Sequence, residues 1–179
     1  FSRRSLGLTG VTTDSEGVKV WLEDWSLHRT PDGVWRLQAF QEDDVSGDFE
    51  LSLRLTEQKP PVLQGEGGYS RKGPQPEHAS YYVSLTRLAA EGTLRRGSES
   101  HKVSGSSWFD HEWSSQPMAP GLVGWDWFSL QLSDGWELML YLLRYEDGRL
   151  EPASSGLLVA PDGGTSKLTL EQFQGEVKE

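Results

Sequence analysis

Ionisable side chains and aromatic rings are most closely spaced in the stretch Trp108-Phe-Asp-His-Glu-Trp113. Burying such groups is costly unless they are paired, so this cluster is a candidate for binding or catalysis. If the stretch is a β-strand, Asp110 and Glu112 point to one face and His111 and Trp113 to the other. Adjacent side chains then do not converge on one point, and we predict no metal site here. The alternative for Asp110 and Glu112 is structural: strand-end carboxylates that bind backbone N–H groups or an arginine.

A second cluster, Gly124-Trp-Asp-Trp-Phe128, places a carboxyl between two indole rings. On an alternating strand Asp126 shares a face with Phe128, Leu130 and Leu132, which are all apolar. A carboxyl on an apolar face is either satisfied by a nearby donor, or its pKa is raised by desolvation. In the second case Asp126 would be a suitable general acid, and both alternatives are open at this point.

The elements that would position these clusters are β-strands. Apolar residues alternate with polar ones over short runs, and no segment keeps a helical period for more than about two turns. Asp-Gly pairs at 134–135, 147–148 and 162–163 are typical of tight hairpin turns. Short strands at this spacing indicate an all-β sandwich or barrel, and we favour the antiparallel barrel, which leaves no open sheet edge. The predicted strands cover residues 18–27, 34–40, 49–55, 80–85, 92–94, 122–132, 136–145, 155–159 and 167–170.

The segment from residue 58 to residue 76 is rich in Pro and Gly and breaks this pattern. It is either a disordered linker, which is the usual meaning of such a composition, or an ordered loop anchored by Val62, Leu63 and Tyr69. Loops longer than about 12 residues inside a compact domain tend to be functional or disordered. We favour the ordered, lid-like loop.

The composition of the 179 residues narrows the classes of partner. The net charge is −10, and Lys and Arg form no cluster longer than a pair, which disfavours nucleic acid and anionic membranes. There is no Cys, which excludes disulfides and thiol nucleophiles, and no apolar run of about 18 residues that would make a transmembrane segment. The eight Trp, six Phe and five Tyr fit either cross-strand aromatic pairs or a wide apolar pocket.

Several motifs in the same order resemble the AttH family, which is related to carotenoid 1,2-hydratases and more distantly to lipocalin-like cyclases. The resemblance implies a lipocalin-like domain over residues 1–173, with 174–179 as a tail or linker. The family usually carries two such barrels in a chain about twice as long, so we expect the end of one barrel and the start of a second, without the flanking barrel segments. The motifs are Val62-Leu-Gln-Gly65, Lys72-Gly-Pro74, Ala79-Ser-Tyr-Tyr82, Trp108 to Trp113, Gly124 to Phe128 and Glu137-Leu-Met-Leu-Tyr141.

The activity implied by this resemblance is the cofactor-free hydration, or templated cyclisation, of an unsaturated isoprenoid or polyene. Asp126 would protonate the alkene, and His111 would orient or deprotonate the water that adds. The cation formed in between would lie over the indole of Trp113 or Trp125. The resemblance thus implies Asp126, His111 and Trp113 as catalytic residues.

The ligand expected from the resemblance is a lipophilic small molecule, bound without a metal or a cofactor. The residues that we expect to contact it are Trp125, Trp127, Tyr81, Tyr82, Gln64 and Trp108. A non-catalytic carrier for such a ligand is the main alternative, and a structural domain without a cavity is a third.

The location implied by the resemblance is periplasmic or secreted, since many members of the family carry secretion signals. Members are also described as secreted hydrolases, but this sequence contains no Gly-x-Ser-x-Gly nucleophile motif.

Overall fold

The computed structural model describes residues 7–42, 47–115 and 118–173, so the predicted tail at 174–179 lies outside the described residues. The chain divides into two compact units. Unit 1 comprises Phe1–Gln58 and Leu88–Ser107, and unit 2 comprises Lys59–Arg87 and Trp108–Glu179. The predicted domain over 1–173 contains parts of both units.

The described residues form thirteen β-strands and one short 3-10 helix, Leu170–Gln172, which confirms the all-β prediction. Among these residues no helix has the length and apolar character needed to cross a membrane. In chain order the strands are β1 (Thr9–Asp14), β2 (Gly17–Leu22), β3 (Trp25–Arg29), β4 (Trp35–Gln41), β5 (Phe49–Glu57), β6 (Val62–Leu63), β7 (Tyr69–Arg71), β8 (Ala79–Arg96), β9 (Glu99–Trp113), β10 (Leu122–Gln131), β11 (Glu137–Tyr145), β12 (Ser155–Val159) and β13 (Thr165–Thr169).

Unit 1 is an antiparallel meander in which β1 to β5 pair in chain order and β5 pairs with the second half of β8. The strand predicted at 18–27 is instead two strands, β2 and β3, because the chain turns at Glu23 and Asp24. Glu23 has a positive φ of 57° and its N–H donates to the Leu8 carbonyl oxygen at 2.6 Å. Glu is an unusual residue in that conformation, so no residue at this position indicates a turn.

The predicted strands at 80–85 and 92–94 are parts of one 18-residue strand, β8. Gly92 lies within it, where a glycine usually signals a break or a close approach. Here the close approach of two strands explains the glycine, because a Cβ at Gly92 would lie 1.9 Å from the Ser52 carbonyl oxygen of β5. Glycine therefore lets the two backbones pair without interrupting the strand.

Unit 2 contains the first half of β8, with β6 and β7 paired to it, and the end of β9 from Trp108 onward. It also contains a second antiparallel sheet in the order β10-β11-β12-β13. The Pro- and Gly-rich segment is ordered, because β6 and β7 both pair with β8 within it. Val62 is 3% exposed and packs against Leu157 and Val159 of β12. Val62 thus anchors the segment as we expected, whereas Leu63 is 54% exposed. Two short stretches of the segment are strands of the sheet.

The three predicted Asp-Gly turns all occur in unit 2. Gly135, Gly148 and Gly163 have φ angles between 83° and 88°, the left-handed conformation that glycine adopts without strain. The turns at Gly135 and Gly163 join β10 to β11 and β12 to β13, and they fix which residues of these strands face each other.

A buried ionic cluster ties the first half of β8 to the second sheet within unit 2. The side chain of Glu137 is completely buried, and Lys59 Nζ lies 2.6 Å from its Oε2 atom. Arg87 Nε donates to the other carboxylate oxygen. Lys59 also donates to the carbonyl oxygens of Gly135 and Ala160, so the cation has several acceptors.

Loss of this buried carboxylate should be strongly destabilising. Glu137→Gln would leave Lys59 and Arg87 without their counter-charge, which we expect to lower the free energy of unfolding by about 3–5 kcal/mol. Urea unfolding followed by circular dichroism measures this change.

The matched control is Glu66→Gln at an exposed ion pair, where Glu66 is 84% exposed and lies 3.4 Å from Lys167 Nζ. We expect this change to cost less than about 1 kcal/mol. Equal losses for the two variants would contradict the structural role of the buried cluster.

Candidate active site

Unit 2 contains an open cavity of about 400 Å³, a volume in the range of small-molecule binding sites. Its lining is mainly aromatic and apolar. Among its polar side chains, Lys72 and Ser80 both contact Glu112, and we call these three residues the polar wall. The lining residues are Lys72, Ser80, Tyr82, Glu112, Trp113, Ser114, Met118, Trp125, Trp127, Tyr141 and Leu143.

The alternation of β9 directs its two carboxylates to the same side. Asp110 and Glu112 both accept hydrogen bonds from side chains of β8, as members of one strand face do. His111 and Trp113 lie on the other face, where their ring centroids are 4.7 Å apart. The predicted division of the cluster between two faces is therefore confirmed.

Asp110 is the centre of a partly buried hydrogen-bond network. Its carboxylate accepts from the Tyr82 hydroxyl at 2.9 Å, from Trp108 Nε1 at 2.9 Å and from the Ser84 hydroxyl. Trp127 Nε1 in turn donates to the Tyr82 oxygen at 3.1 Å. The donors are side chains of the site itself, whereas the structural interpretation of the sequence expected backbone N–H groups or an arginine. Asp110 therefore orients the cavity residues Tyr82 and Trp127.

Tyr82 remains a neutral phenol in this setting. Burial raises its pKa above the ordinary value of 10.0, and the nearby negative charge of Asp110 raises it further. Tyr82 is 2% exposed and belongs to the core of unit 2 with Met139, Tyr141 and Leu143. It thus serves the cavity as a fixed hydrogen-bonding group and does not act as a base.

Lys72 and Glu112 form an ion pair on the polar wall. Lys72 Nζ lies 3.1 Å from Glu112 Oε1 and donates to the Ser70 hydroxyl at 3.1 Å. Its ammonium group lies 3.8 Å from the centroid of the Tyr141 ring, within cation–π range. The Lys72 side chain is only 10% exposed, whereas that of Glu112 is 40% exposed. Glu112, which also accepts from the Ser80 hydroxyl, is therefore the more accessible of the two charged groups.

Local backbone packing holds Lys72 in place. Its N–H donates to the His78 carbonyl oxygen at 2.7 Å, which closes the loop after β7. The next residue is Gly73, where a Cβ would lie 2.7 Å from the Cβ of Ala119. Sequence reasoning did not select Lys72, although the Lys72-Gly-Pro74 motif was among those that carried the family resemblance.

Asp126 is absent from the cavity lining, so the structure does not bring it to the place that its predicted role as the general acid requires. Its neighbours Trp125 and Trp127 line the cavity, and the alternation of β10 turns Asp126 to the opposite face. There Arg144 Nε lies 2.9 Å from its Oδ2 atom, which makes an ion pair.

The other predicted residues divide between the cavity and its surroundings. Trp125, Trp127, Tyr82 and Trp113 line the cavity. Tyr81 is 55% exposed and stacks on Trp113, with 5.7 Å between the ring centroids.

Three further predicted residues are absent from the cavity lining. His111 is exposed beside Trp113. Trp108 donates to Asp110 and does not line the cavity. Gln64 is 1% exposed and donates to the Ser84 hydroxyl at 2.9 Å, so it supports the network around Asp110. Within residues 7–42, 47–115 and 118–173, no three His, Asp or Glu side chains are grouped so that they could hold a metal ion.

The antiparallel strands and the aromatic-lined cavity define an all-β protein of the lipocalin-like class. The chain belongs to the AttH-like family, whose model matches residues 1–179. No curated protein sequence matches it significantly.

Two solved structures resemble the chain. A protein of Nitrosomonas europaea, provisionally assigned as AttH, is 38% identical with a TM-score of 0.79, over 87% of this chain and 47% of that one. Kievitone hydratase of Nectria haematococca is 18% identical with a TM-score of 0.59, over 92% of this chain and 45% of that one. The second likeness shows the fold alone. The chain spans about half the length of both proteins.

The raised pKa of Tyr82 predicts a specific loss of stability in alkali. Because the folded state holds this proton more tightly than the unfolded state, the contribution is complete below the ordinary pKa of 10.0 and declines as the pH rises above it. Tyr82→Phe removes the titrating group, so its unfolding free energy should fall less steeply with pH in that range. Chemical unfolding at a series of alkaline pH values measures the slope.

Trp127→Phe is the matched control, because it removes the indole donor but keeps the phenol of Tyr82. This variant should retain the slope of the unchanged protein. If Tyr82→Phe also retained it, the assignment of a raised pKa to Tyr82 would be contradicted.

Proposed function

We propose that the cavity binds a lipophilic small molecule and that Glu112 transfers the proton needed to add water to an alkene of that molecule. The observation that carries the proposal is the position of the polar wall on an otherwise apolar, aromatic cavity. Such a site holds the apolar body of a ligand and directs a few polar groups at one part of it.

The addition of water to an alkene needs a proton donor for one carbon and a base for the incoming water. Among the described lining residues Glu112 is the one carboxyl, and it can fill both roles in turn. Lys72 first passes the proton of the ion pair to Glu112, and the neutral carboxyl gives a proton to the alkene. The resulting carboxylate then takes a proton from the water that attacks the cation. Alkene and water are consumed, an alcohol is formed and Glu112 is protonated again.

The neighbouring groups support this assignment. Asp110 is held by three side-chain donors, and Asp126 lies on the other face of its strand beside Arg144. Trp125 and Trp127 line the cavity, and the face of an indole ring attracts a nearby cation. The cation formed on protonation would therefore be stabilised beside Glu112.

Family membership and fold support hydration as the type of reaction. The chain belongs to the AttH-like family, and kievitone hydratase, whose name describes a hydration, shares its fold. We propose an isoprenoid or polyene as the substrate and a periplasmic or secreted location. Because the chain spans about half the length of the matched structures, both proposals concern the full-length protein.

A carrier without chemistry is the second candidate. Trp125 is 57% exposed and Trp127 is 41% exposed, so the cavity presents a broad aromatic surface that can take up and release a ligand. In that case Lys72 and Glu112 would only fix the polar end of the ligand.

The exchange Glu112→Gln separates the two candidates. An amide cannot donate a proton to an alkene, so we expect turnover by the full-length protein to fall by about 10²-fold or more. Ligand affinity, measured by tryptophan fluorescence, should change by no more than about threefold, since the amide keeps the shape of the carboxyl. Mass spectrometry of the product, which is heavier than the substrate by one water, measures turnover.

Asp126→Asn is the control, because it alters an acid on the opposite face of β10 and should leave turnover unchanged. Loss of turnover in Asp126→Asn but not in Glu112→Gln would overturn the assignment of the acid. Binding without turnover in the unchanged protein, across a panel of isoprenoid alkenes, would favour the carrier.

A further inference from the structure

Lys72 differs in its surroundings from the other lysines of residues 7–42, 47–115 and 118–173. It is the one lysine among the described residues that line the cavity. Lys59 is also buried, but Glu137 and two carbonyl oxygens hold it away from the cavity. Lys19, Lys102 and Lys167 are exposed to solvent. A primary amine on the wall of an apolar pocket can condense with a carbonyl compound that the pocket holds beside it.

The contacts of Lys72 suit any cation at that position. Its Nζ atom has Glu112 Oε1 and Ser70 Oγ at 3.1 Å each, and it lies over the Tyr141 ring at 3.8 Å and the Tyr82 ring at 5.2 Å. An ammonium ion and a protonated imine carry the same single positive charge. The carboxylate and the two aromatic faces would therefore stabilise a protonated imine as they stabilise the ammonium ion.

We propose that Lys72 condenses reversibly with a lipophilic aldehyde held in the cavity, and that Glu112 is the counter-ion of the protonated imine. This inference rests on the part of the proposed function that concerns lipophilic binding, and it does not require hydration. According to this proposal, the polar wall is a site where a carbonyl compound binds covalently.

The condensation balances without any further reagent. Lys72 first gives a proton to Glu112, and the free amine attacks the carbonyl carbon of the aldehyde. Glu112 then returns the proton to the hydroxyl group of the addition product. A carbon–nitrogen double bond forms, the carbon–oxygen bond breaks, and the oxygen leaves as water. The positive charge ends on the imine nitrogen beside the Glu112 carboxylate.

Reductive trapping of the full-length protein tests the proposal. The protein is incubated with decanal and cyanoborohydride, and the modified lysines are located by peptide mapping. We expect Lys72 to be modified faster than exposed Lys19, Lys102 and Lys167, by about tenfold or more. Excess decanol, which fills the cavity but forms no imine, should suppress the modification of Lys72 and leave the exposed lysines unaffected.

Substitution and spectroscopy provide a second measurement. Lys72→Arg keeps the positive charge beside Glu112 but offers no primary amine, so its adduct should be lost, whereas Lys167→Arg should lose only its own adduct. With dimethylaminocinnamaldehyde the unchanged protein should show the red-shifted absorbance of a protonated imine, and Lys72→Arg should not. If Lys72→Arg fails to fold, the decanol competition on the unchanged protein still decides the question.

The possible results separate this proposal from the proposed function. Decanal that quenches tryptophan fluorescence but modifies only the exposed lysines would overturn the imine and leave lipophilic binding intact. Modification of Lys72 that decanol does not suppress would overturn a reaction inside the cavity. Absence of binding by both decanal and decanol would overturn the imine together with the lipophilic site.

Discussion

The hydrogen bonds to the Asp110 carboxylate fix the geometry on which the candidate site depends. Three side chains, Tyr82, Ser84 and Trp108, donate to it, and two of them belong to β8 while the third belongs to β9. The Asp110 carboxylate is partly buried, and these donors replace the water that it loses there. Each donor would in turn lose its acceptor without Asp110. The network thereby fixes which side of β9 lies against the side chains of β8. Since side chains alternate along β9, Glu112 lies on the same side as Asp110 and reaches the polar wall.

The division between scaffold and reactive groups follows from this arrangement. Asp110 and Tyr82 are engaged with neighbours in the protein, whereas Glu112 is 40% exposed on the wall of the cavity. Lys72 is held between Glu112 and the Tyr141 ring, so the charge of the polar wall is balanced before any ligand binds. A ligand in the cavity therefore contacts a fixed pair of opposite charges at one end of the cavity and indole rings elsewhere. This arrangement suits a lipophilic molecule with one reactive position.

Much of the fold could be predicted from the sequence because strand alternation and Asp-Gly turns are local signals. The strand at 155–159 and the turn at Gly135 were located from such signals alone. The turn at Glu23 was missed because its residues lack the usual left-handed preference, and β8 was divided in two because a close backbone approach at Gly92 resembles a break.

The candidate site was predicted less completely than the fold. Alternation correctly separated Asp110 and Glu112 from His111 and Trp113, since these residues share one strand. It could not show that Trp125 and Trp127, rather than Asp126, take the cavity side of β10, because both faces of that strand are apolar. Lys72 comes from a loop, and its approach to Glu112 depends on contacts distant in the sequence that no local pattern reveals.

Trp125 and Trp127 line the cavity that we propose binds a lipophilic molecule. Solvent extraction of the full-length protein, purified gently from its own host and followed by mass spectrometry, tests this binding most directly. We expect an isoprenoid, polyene or other lipophilic compound in near-stoichiometric amount, and its loss from a folded variant with both indoles replaced by alanine. An equal amount of the compound in that variant would contradict binding at the indoles, as would a clean extract together with no binding of lipophilic probes by the unchanged protein.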